Sequence, residues 1–150
     1  MAVQIRRATE ADAAGAVEAI RRSITDLCDA DHRSDGSVLE AWLRNKTVEA
    51  WLRWIARTDA VVLVAERHRV IVGVGMATDT GEILLNYVHP DARFCGVSKA
   101  MLAALEDWMR LLGLQHCQLE STLTARRLYA SCGFLPERSN PLLLAKSLQG

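Results

Sequence analysis

The chain has 150 residues, half of them hydrophobic, with 18 basic and 18 acidic side chains and a formal net charge of zero. This length suits one domain with a sizeable core, and residues 1–150 are expected to form it. The balanced charge offers no broad basic surface to nucleic acid, and no uninterrupted apolar run is long enough to cross a membrane. The opening residues 1–7 lack the apolar stretch of a secretory leader. Four cysteines (Cys28, Cys95, Cys117 and Cys132) are widely spaced with no C-x-x-C pair. Reduced thiols in a cytoplasmic setting are therefore expected, rather than a disulfide frame or a metal site.

Residues 4–8 alternate and read as an edge strand. Thr9 is a good helix N-cap, and Asp12 imitates a capping box with a shorter acid. Ala13, Val17, Ile20, Ile24 and Leu27 recur at helical spacing and predict a helix to about Cys28. Residues 29–36 have no periodicity and are rich in turn formers, so they read as a loop. Ser37 is placed to cap a second helix carrying Leu39, Trp42 and Leu43. Thr47 begins a third, with Val48, Trp51, Leu52 and Ile55 on one side.

Residues 61–65 form a buried-strand run, His68 and Arg69 a tight turn, and residues 70–76 the hairpin partner. Asp79-Thr80-Gly81 is a second turn, leading into a strand over residues 82–88. Two successive hairpin links imply antiparallel pairing. Val97, Met101, Ala104, Leu105, Trp108, Leu111 and Leu112 then mark one face of a long helix that Gly113 ends. A strand at 116–121, a short helix at 124–132 capped by Gly133 and a last strand at 142–145 complete the pattern. The strand–helix–strand passage implies one parallel pair through a right-handed crossover. The expected fold class is α/β of the α+β kind, with a mixed, mostly antiparallel central sheet flanked by helices.

The passage from the 82–88 strand into the long helix carries the chemistry. After Pro90 comes a turn bearing Arg93, and the helix opens with Gly96, Val97 and Ser98. The first N–H groups of a helix lack internal partners, and its dipole favours an anion there. Gly96 lets a phosphate approach the backbone, and Arg93 adds charge. The run Arg93-Phe94-Cys95-Gly96-Val97-Ser98 resembles the pyrophosphate-binding signature of the GNAT N-acetyltransferase superfamily: arginine or glutamine, two residues, glycine, one residue, then glycine or alanine. The resemblance extends to the Val88-His89-Pro90 strand end and to Leu128-Tyr129-Ala130-Ser131-Cys132-Gly133-Phe134, which is similar to the family's Leu/Phe-Tyr-x-x-x-Gly-Phe motif. Ser98 stands where the family usually has glycine or alanine, and Thr122 where many relatives carry asparagine.

The resemblance implies a GNAT-like acyl-CoA N-acyltransferase fold, with the two crossover strands splayed and the pantetheine arm between them. It also implies acetyl-CoA as cosubstrate, no metal, and direct attack of an amine on the thioester in a ternary complex. Backbone amides of Phe94, Cys95, Gly96, Val97, Ser98 and Lys99 would take the pyrophosphate with Arg93. Val88 N–H would polarise the carbonyl, Thr122 would meet the pantetheine amide, and Arg126 or Arg127 the 3′-phosphate. Tyr129 is the implied general acid. At a tyrosine's ordinary pKa of about 10, full transfer to a thiolate whose acid has a pKa of about 8.5 is uphill by about 2 kcal/mol. A shared hydrogen bond, completed late or through water, is then expected.

The base is left among Glu82, Glu120 and His89, and an amine arriving neutral needs none. Asp29, Asp31 and His32 form a polar cluster that suits a cationic amine, with Tyr87 beside it. Trp42, Trp51 and Trp54 read either as walls of that pocket or as core. The expected acceptor is a small-molecule or peptide amine, and homodimers are common in the family. A second reading is a non-catalytic acyl-CoA-binding regulatory module. A P-loop phosphotransferase is excluded, since no Gly-Lys-Ser/Thr follows a glycine-rich loop.

Overall fold

Alternating apolar runs and tight turns build the first half of the sheet. In the computed structural model, which describes residues 3–93 and 95–148, strands β1 (Gln4–Arg7), β2 (Ala60–Arg67), β3 (Val70–Thr78) and β4 (Glu82–Val88) pair antiparallel in sequence order. The β2–β3 link holds His68 and Arg69 at φ 52° and 65°. Two successive left-handed residues make the hairpin turn whose twist matches the strands it joins. Strand β5 (His116–Glu120) lies parallel to β4. With β6 (Leu135–Pro136) and β7 (Leu143–Ser147) it completes a seven-stranded sheet in the order β1-β2-β3-β4-β5-β7-β6.

Helices cover both faces because strand alternation sends apolar side chains to each. On one face, α1 (Ala13–Leu27), a short turn α2 (Asp29–His32), α3 (Gly36–Leu43) and α4 (Val48–Ala56) follow one another. Ile20, Ile24 and Trp51 pack there against Val62, Val64, Val74, Met76 and Leu85. On the other face lie α5 (Val97–Leu111) and α6 (Arg126–Ser131). Val97, Met101, Leu105 and Met109 pack there with Leu63, Val72, Ile83, Leu119, Tyr129 and Phe134. Each such side chain removed from water contributes roughly 1.5–3 kcal/mol. Gly75 in β3 lets α5 lie close: a Cβ there would stand 2.5 Å from the Met101 sulfur. Among the described residues no helix is long and apolar enough to cross a membrane.

The helix ends follow the sequence in most places. Thr9 N–H donates to the Asp12 carboxylate at 2.8 Å, and Thr47 Oγ1 accepts from Ala50 N–H at 3.1 Å to cap α4. The cap of α3, however, is Asp35 and not Ser37. Its carboxylate accepts from the N–H groups of Ser37 and Val38 at 2.9 and 3.3 Å. An anionic acceptor at the positive end of a helix outdoes a neutral hydroxyl. Within the expected loop, Asp29–His32 winds into one helical turn. Strand β6 has no counterpart in the sequence pattern, since two exposed residues carry no periodicity, and β7 runs on to Ser147.

One irregularity in the sheet shapes the site. Strands β4 and β5 pair only at Glu82↔Gln118 and Ile83↔Leu119. Immediately beyond, β4 carries an extra residue, Leu84, because Ile83 is opposite Ala77 while Leu85 is opposite Met76. Such a bulge bends its strand, whereas β5 stays paired to β7, so β4 and β5 part. Gly81 pins the closed end. Its φ is 91°, its carbonyl accepts from Gln118 N–H at 2.8 Å, and a Cβ there would lie 2.7 Å from the His116 carbonyl oxygen. Gly81→Ala is therefore expected to cost more than ~1 kcal/mol, read as a lower urea midpoint with an unchanged slope.

Candidate functional site

Where β4 and β5 separate, a cleft of about 590 Å³ opens, bordered by Asn86 and Val88 from β4, Leu119 from β5, the head of α5, Thr122 and Tyr129. A second cleft of about 580 Å³ is bordered by Asp31, Trp42, Glu82, Gln118, Glu120 and Leu143. Ile83, Leu84, Tyr87, Leu119, Glu120 and Thr122 border both, so the two meet at the strand gap. The backbone of β4 faces that gap. His89 N–H donates to Val72 O at 2.8 Å, and strand alternation then turns the backbone of Val88 and Asn86 away from β3. Their polar groups lie along an edge that β5 has left.

The head of α5 opens onto the first cleft. Gly96 stands at φ 76° and ψ 11°, a left-handed cap, and no side chain caps the helix. The first bond is Ala100 N–H to Gly96 O at 3.1 Å, and the amides of Val97, Ser98 and Lys99 have no partner among the described residues. Among the described residues, chain neighbours and the helix backbone aside, no atom lies within 4 Å of where a Cβ on Gly96 would sit. What requires glycine there is its φ, and what that φ leaves is open space above three uncommitted donors. Arg93, Cys95 and Lys99 are exposed around it. Arg67 joins them from the end of β2, its guanidinium 3.7 Å from Cys95 Sγ and 3.5 Å from Asp91 O. Nothing local in the sequence marks it, because only strand pairing brings it to the loop. Phe94 and the side chain of Asp29, both among the expected site residues, lie outside what the structure describes.

Tyr129 lies in the floor of the first cleft, only 6% exposed, edge-on to Phe134 with ring centroids 5.7 Å apart. Burial pushes its phenol up to about 12. Full transfer to a thiolate of ordinary basicity is then uphill by about 5 kcal/mol, more than a tyrosine's reference value implies. The same enclosure raises a thiol, which narrows the difference. The opposing influence on Tyr129 is the neighbouring Asn86 amide, which favours the ionised phenol. Neither amide atom of Asn86 closes a hydrogen bond of acceptable length and angle, and both are buried. Leaving such a group unsatisfied costs about 1–3 kcal/mol, so Asn86 marks the cleft as a place that a partner completes. It lies within the strand that leads towards the head of α5, but a lone asparagine there carries no pattern.

Around the second cleft the expected residues sort differently. Glu82 and Glu120 are exposed at its wall. Tyr87 borders both clefts, accepts from Trp42 Nε1 at 3.3 Å, and is pushed up to about 12 by burial. Trp42 is thus a wall, whereas Trp51 is wholly core and donates from Nε1 to Thr9 O at 3.1 Å. Asp31 borders the cleft, but its carboxylate ties α2 to the β5–α6 loop. It accepts from Leu123 N–H at 2.7 Å, Thr124 N–H at 3.3 Å and Thr124 Oγ1 at 2.8 Å. His32 borders neither cleft. It is buried, with Nε2 donating to Ile24 O at 3.0 Å and Nδ1 accepting from Ser34 N–H at 3.1 Å, so it organises the chain after α1.

His89, too, is engaged: Nδ1 accepts from Asp91 N–H at 3.0 Å and closes the turn before the loop. Thr122 borders both clefts while its hydroxyl accepts from Ala125 N–H at 3.1 Å. Arg126 and Arg127 are exposed on α6 and border neither. Among the described residues, no group of three or more histidine, cysteine, aspartate or glutamate side chains could hold a metal ion.

Several acids are held neutral by burial. Besides the two tyrosines, Cys28 is pushed up to about 12 and Cys117 to about 11. Above their ordinary values the unfolded chain releases protons that the native chain keeps, so stability falls with rising pH. It is expected to be fully present below about pH 8.5 and to decline towards pH 12. Urea unfolding between pH 7 and 11 measures this, and Tyr129→Phe should flatten the decline.

Comparison with known proteins gives this geometry a context. A sequence profile described as the Acetyltransferase (GNAT) family matches residues 22–134. A curated protein of Azospirillum brasilense named IAA acetyltransferase is 35% identical over 91 residues, a match covering 55% of this chain and 60% of that protein. The chain thus spans about three fifths of that relative's length. The PaiA N-acetyltransferase of Thermoplasma acidophilum, solved in complex with coenzyme A, is 21% identical with a TM-score of 0.83, the match covering 98% of this chain and 99% of that one. A GCN5-related N-acetyltransferase of Rhodopseudomonas palustris gives 21% and 0.85, covering 98% and 96%. YncA of Salmonella typhimurium, solved with its cofactor acetyl-CoA, gives 23% and 0.66, covering 100% and 96%. At these identities the structural likeness is one of fold.

Proposed function

We propose, on the footing that this chain belongs to the acetyltransferase (GNAT) family, that it transfers the acetyl group of acetyl-CoA to a primary amine by direct attack in a ternary complex. The observation that carries this reading is the head of α5: uncommitted amides of Val97, Ser98 and Lys99 face a cleft that runs to the strand gap beside Tyr129. Three convergent donors at the positive end of a helix suit a diphosphate, and Arg93, Lys99 and Arg67 supply charge around it. A pantetheine arm, extended and carrying amides, suits an unpaired strand edge in the way a further strand would.

The second cleft reaches the same gap from the acidic side, where Glu82 and Glu120 stand. An amine entering there meets the thioester carbonyl at the parting of the strands. Val88 N–H, turned to that edge, would stabilise the developing oxyanion. Glu120 borders both clefts and is the better placed of the two carboxylates to take the amine proton through a water. Tyr129 would donate towards the departing sulfur. The nitrogen–carbon bond forms, the carbon–sulfur bond breaks, and the thiolate gains a proton. Tyr129 recovers its proton from water, and Glu120 returns to water the one that it took from the amine, so the proton lost by nitrogen balances the one gained by sulfur.

Calorimetry with acetyl-CoA is expected to show saturable heat, and Gly96→Glu to abolish it by placing a carboxylate where the diphosphate docks. Thiol release across an amine panel should be saturable and amine-dependent. In Tyr129→Phe, kcat should fall about 10²-fold, within the range for an acid–base group, with acetyl-CoA affinity nearly unchanged. Heat without amine-dependent release from any acceptor would favour a non-catalytic acyl-CoA-binding module. No heat at all would remove both readings.

A further inference from the structure

Asn86 is the described side chain with buried, unpartnered polar atoms, and it borders the cleft that holds Tyr129. Its direction follows from the strand. Val88, two residues on, packs into the cluster formed with α5 and Tyr129, while Leu85 and Tyr87 belong to the α1 face. Residues two apart in a strand share a face, so the Asn86 amide projects to the side of the sheet from which the Tyr129 hydroxyl enters. The amide acts on that hydroxyl, favouring its ionised form, yet neither amide atom has a hydrogen-bond partner among the described residues.

From this juxtaposition we infer that Asn86 is the positioning residue for Tyr129, its Nδ2–H donating to the phenol oxygen so that the O–H proton points at the leaving sulfur. The inference rests on the reading of Tyr129 as the acid. A phenol has one proton to give and two lone pairs to receive with. Were Asn86 to act through its carbonyl, it would draw that proton away from the cleft. An amide can present either end by rotating, and an anionic sulfur in the cleft selects the arrangement in which Tyr129 donates to sulfur and Asn86 donates to Tyr129. The same contact stabilises the phenolate left by proton transfer, opposing the burial that holds the phenol neutral. Tyr87, Cys132 and Cys28, the other ionisable groups felt by Tyr129, all act the other way. Asn86 thus supplies what an otherwise apolar setting withholds from an acid.

The chain has two tyrosines, so replacing both by 3-fluorotyrosine gives two ¹⁹F resonances, which the Tyr129→Phe variant assigns. Ortho fluorine acidifies the phenol and brings its titration into the range where the protein is folded. In Asn86→Leu the Tyr129 resonance should titrate about one pH unit higher than in the native protein, and in the isosteric Asn86→Asp higher still, since a carboxylate can only accept and repels the phenolate. Turnover should fall about tenfold in Asn86→Leu, with an unchanged KM for acetyl-CoA and no further loss when combined with Tyr129→Phe. An unmoved titration in both Asn86 variants would overturn the inference while leaving the acid role intact. So would losses that add in the double variant, or a raised KM for acetyl-CoA with kcat unchanged, since Asn86 would then touch the substrate directly. A native kcat in Tyr129→Phe would instead remove the acid role itself.

Discussion

The whole site depends on two strands ceasing to pair. A parallel ladder that continued past Ile83 and Leu119 would satisfy the backbone of β4 and close the sheet. The Leu84 bulge and the continued pairing of β5 with β7 prevent that, and they leave an unpaired strand edge in the interior of a folded protein. An unpaired edge is ordinarily a liability. Here it is bordered by clefts on both sides, and its unsatisfied groups are available to a ligand carrying amides of its own. The gap, the clefts and the exposure of Glu120 to both are one geometrical fact seen from different sides.

The head of α5 obeys a related logic. A helix start normally acquires a side-chain cap, as Asp35 and Thr47 provide for α3 and α4 in this chain. At α5 the cap position is a glycine in a left-handed conformation, and the first amides find no partner among the described residues. Stability is forgone at one helix terminus, and the same omission leaves its first amides open to the cleft.

Electrostatics in the floor of the first cleft pull in opposite directions. Enclosure makes Tyr129 a weaker acid, as it does Tyr87, Cys28 and Cys117. A weak acid holds its proton at any pH the cell offers, so the group stays in the donating form. It also transfers that proton reluctantly. A polar neighbour such as Asn86 opposes that shift locally, favouring the ionised phenol.

Much of this architecture is legible in the residues alone. The helical periodicity of α1 and α5, the His68-Arg69 turn, the order of motifs around Gly96 and Tyr129, and the mixed sheet all follow from local preference and spacing, which act over a few residues. Contacts between distant segments do not. Asp31 meets Leu123 and Thr124 across the mouth of the clefts, Arg67 reaches the loop from another strand, and His32 turns inward to its own backbone. Asn86 acquires its meaning only from the helix packed over it. Sequence by itself determined the elements, the family resemblance and the position of the glycine cap at the head of α5, because those depend on backbone chemistry within one stretch of chain. The tertiary structure alone decided which polar side chains face the clefts and which hold the scaffold together, because a hydroxyl, carboxylate or imidazole is claimed by whichever partner the fold brings within about 3 Å.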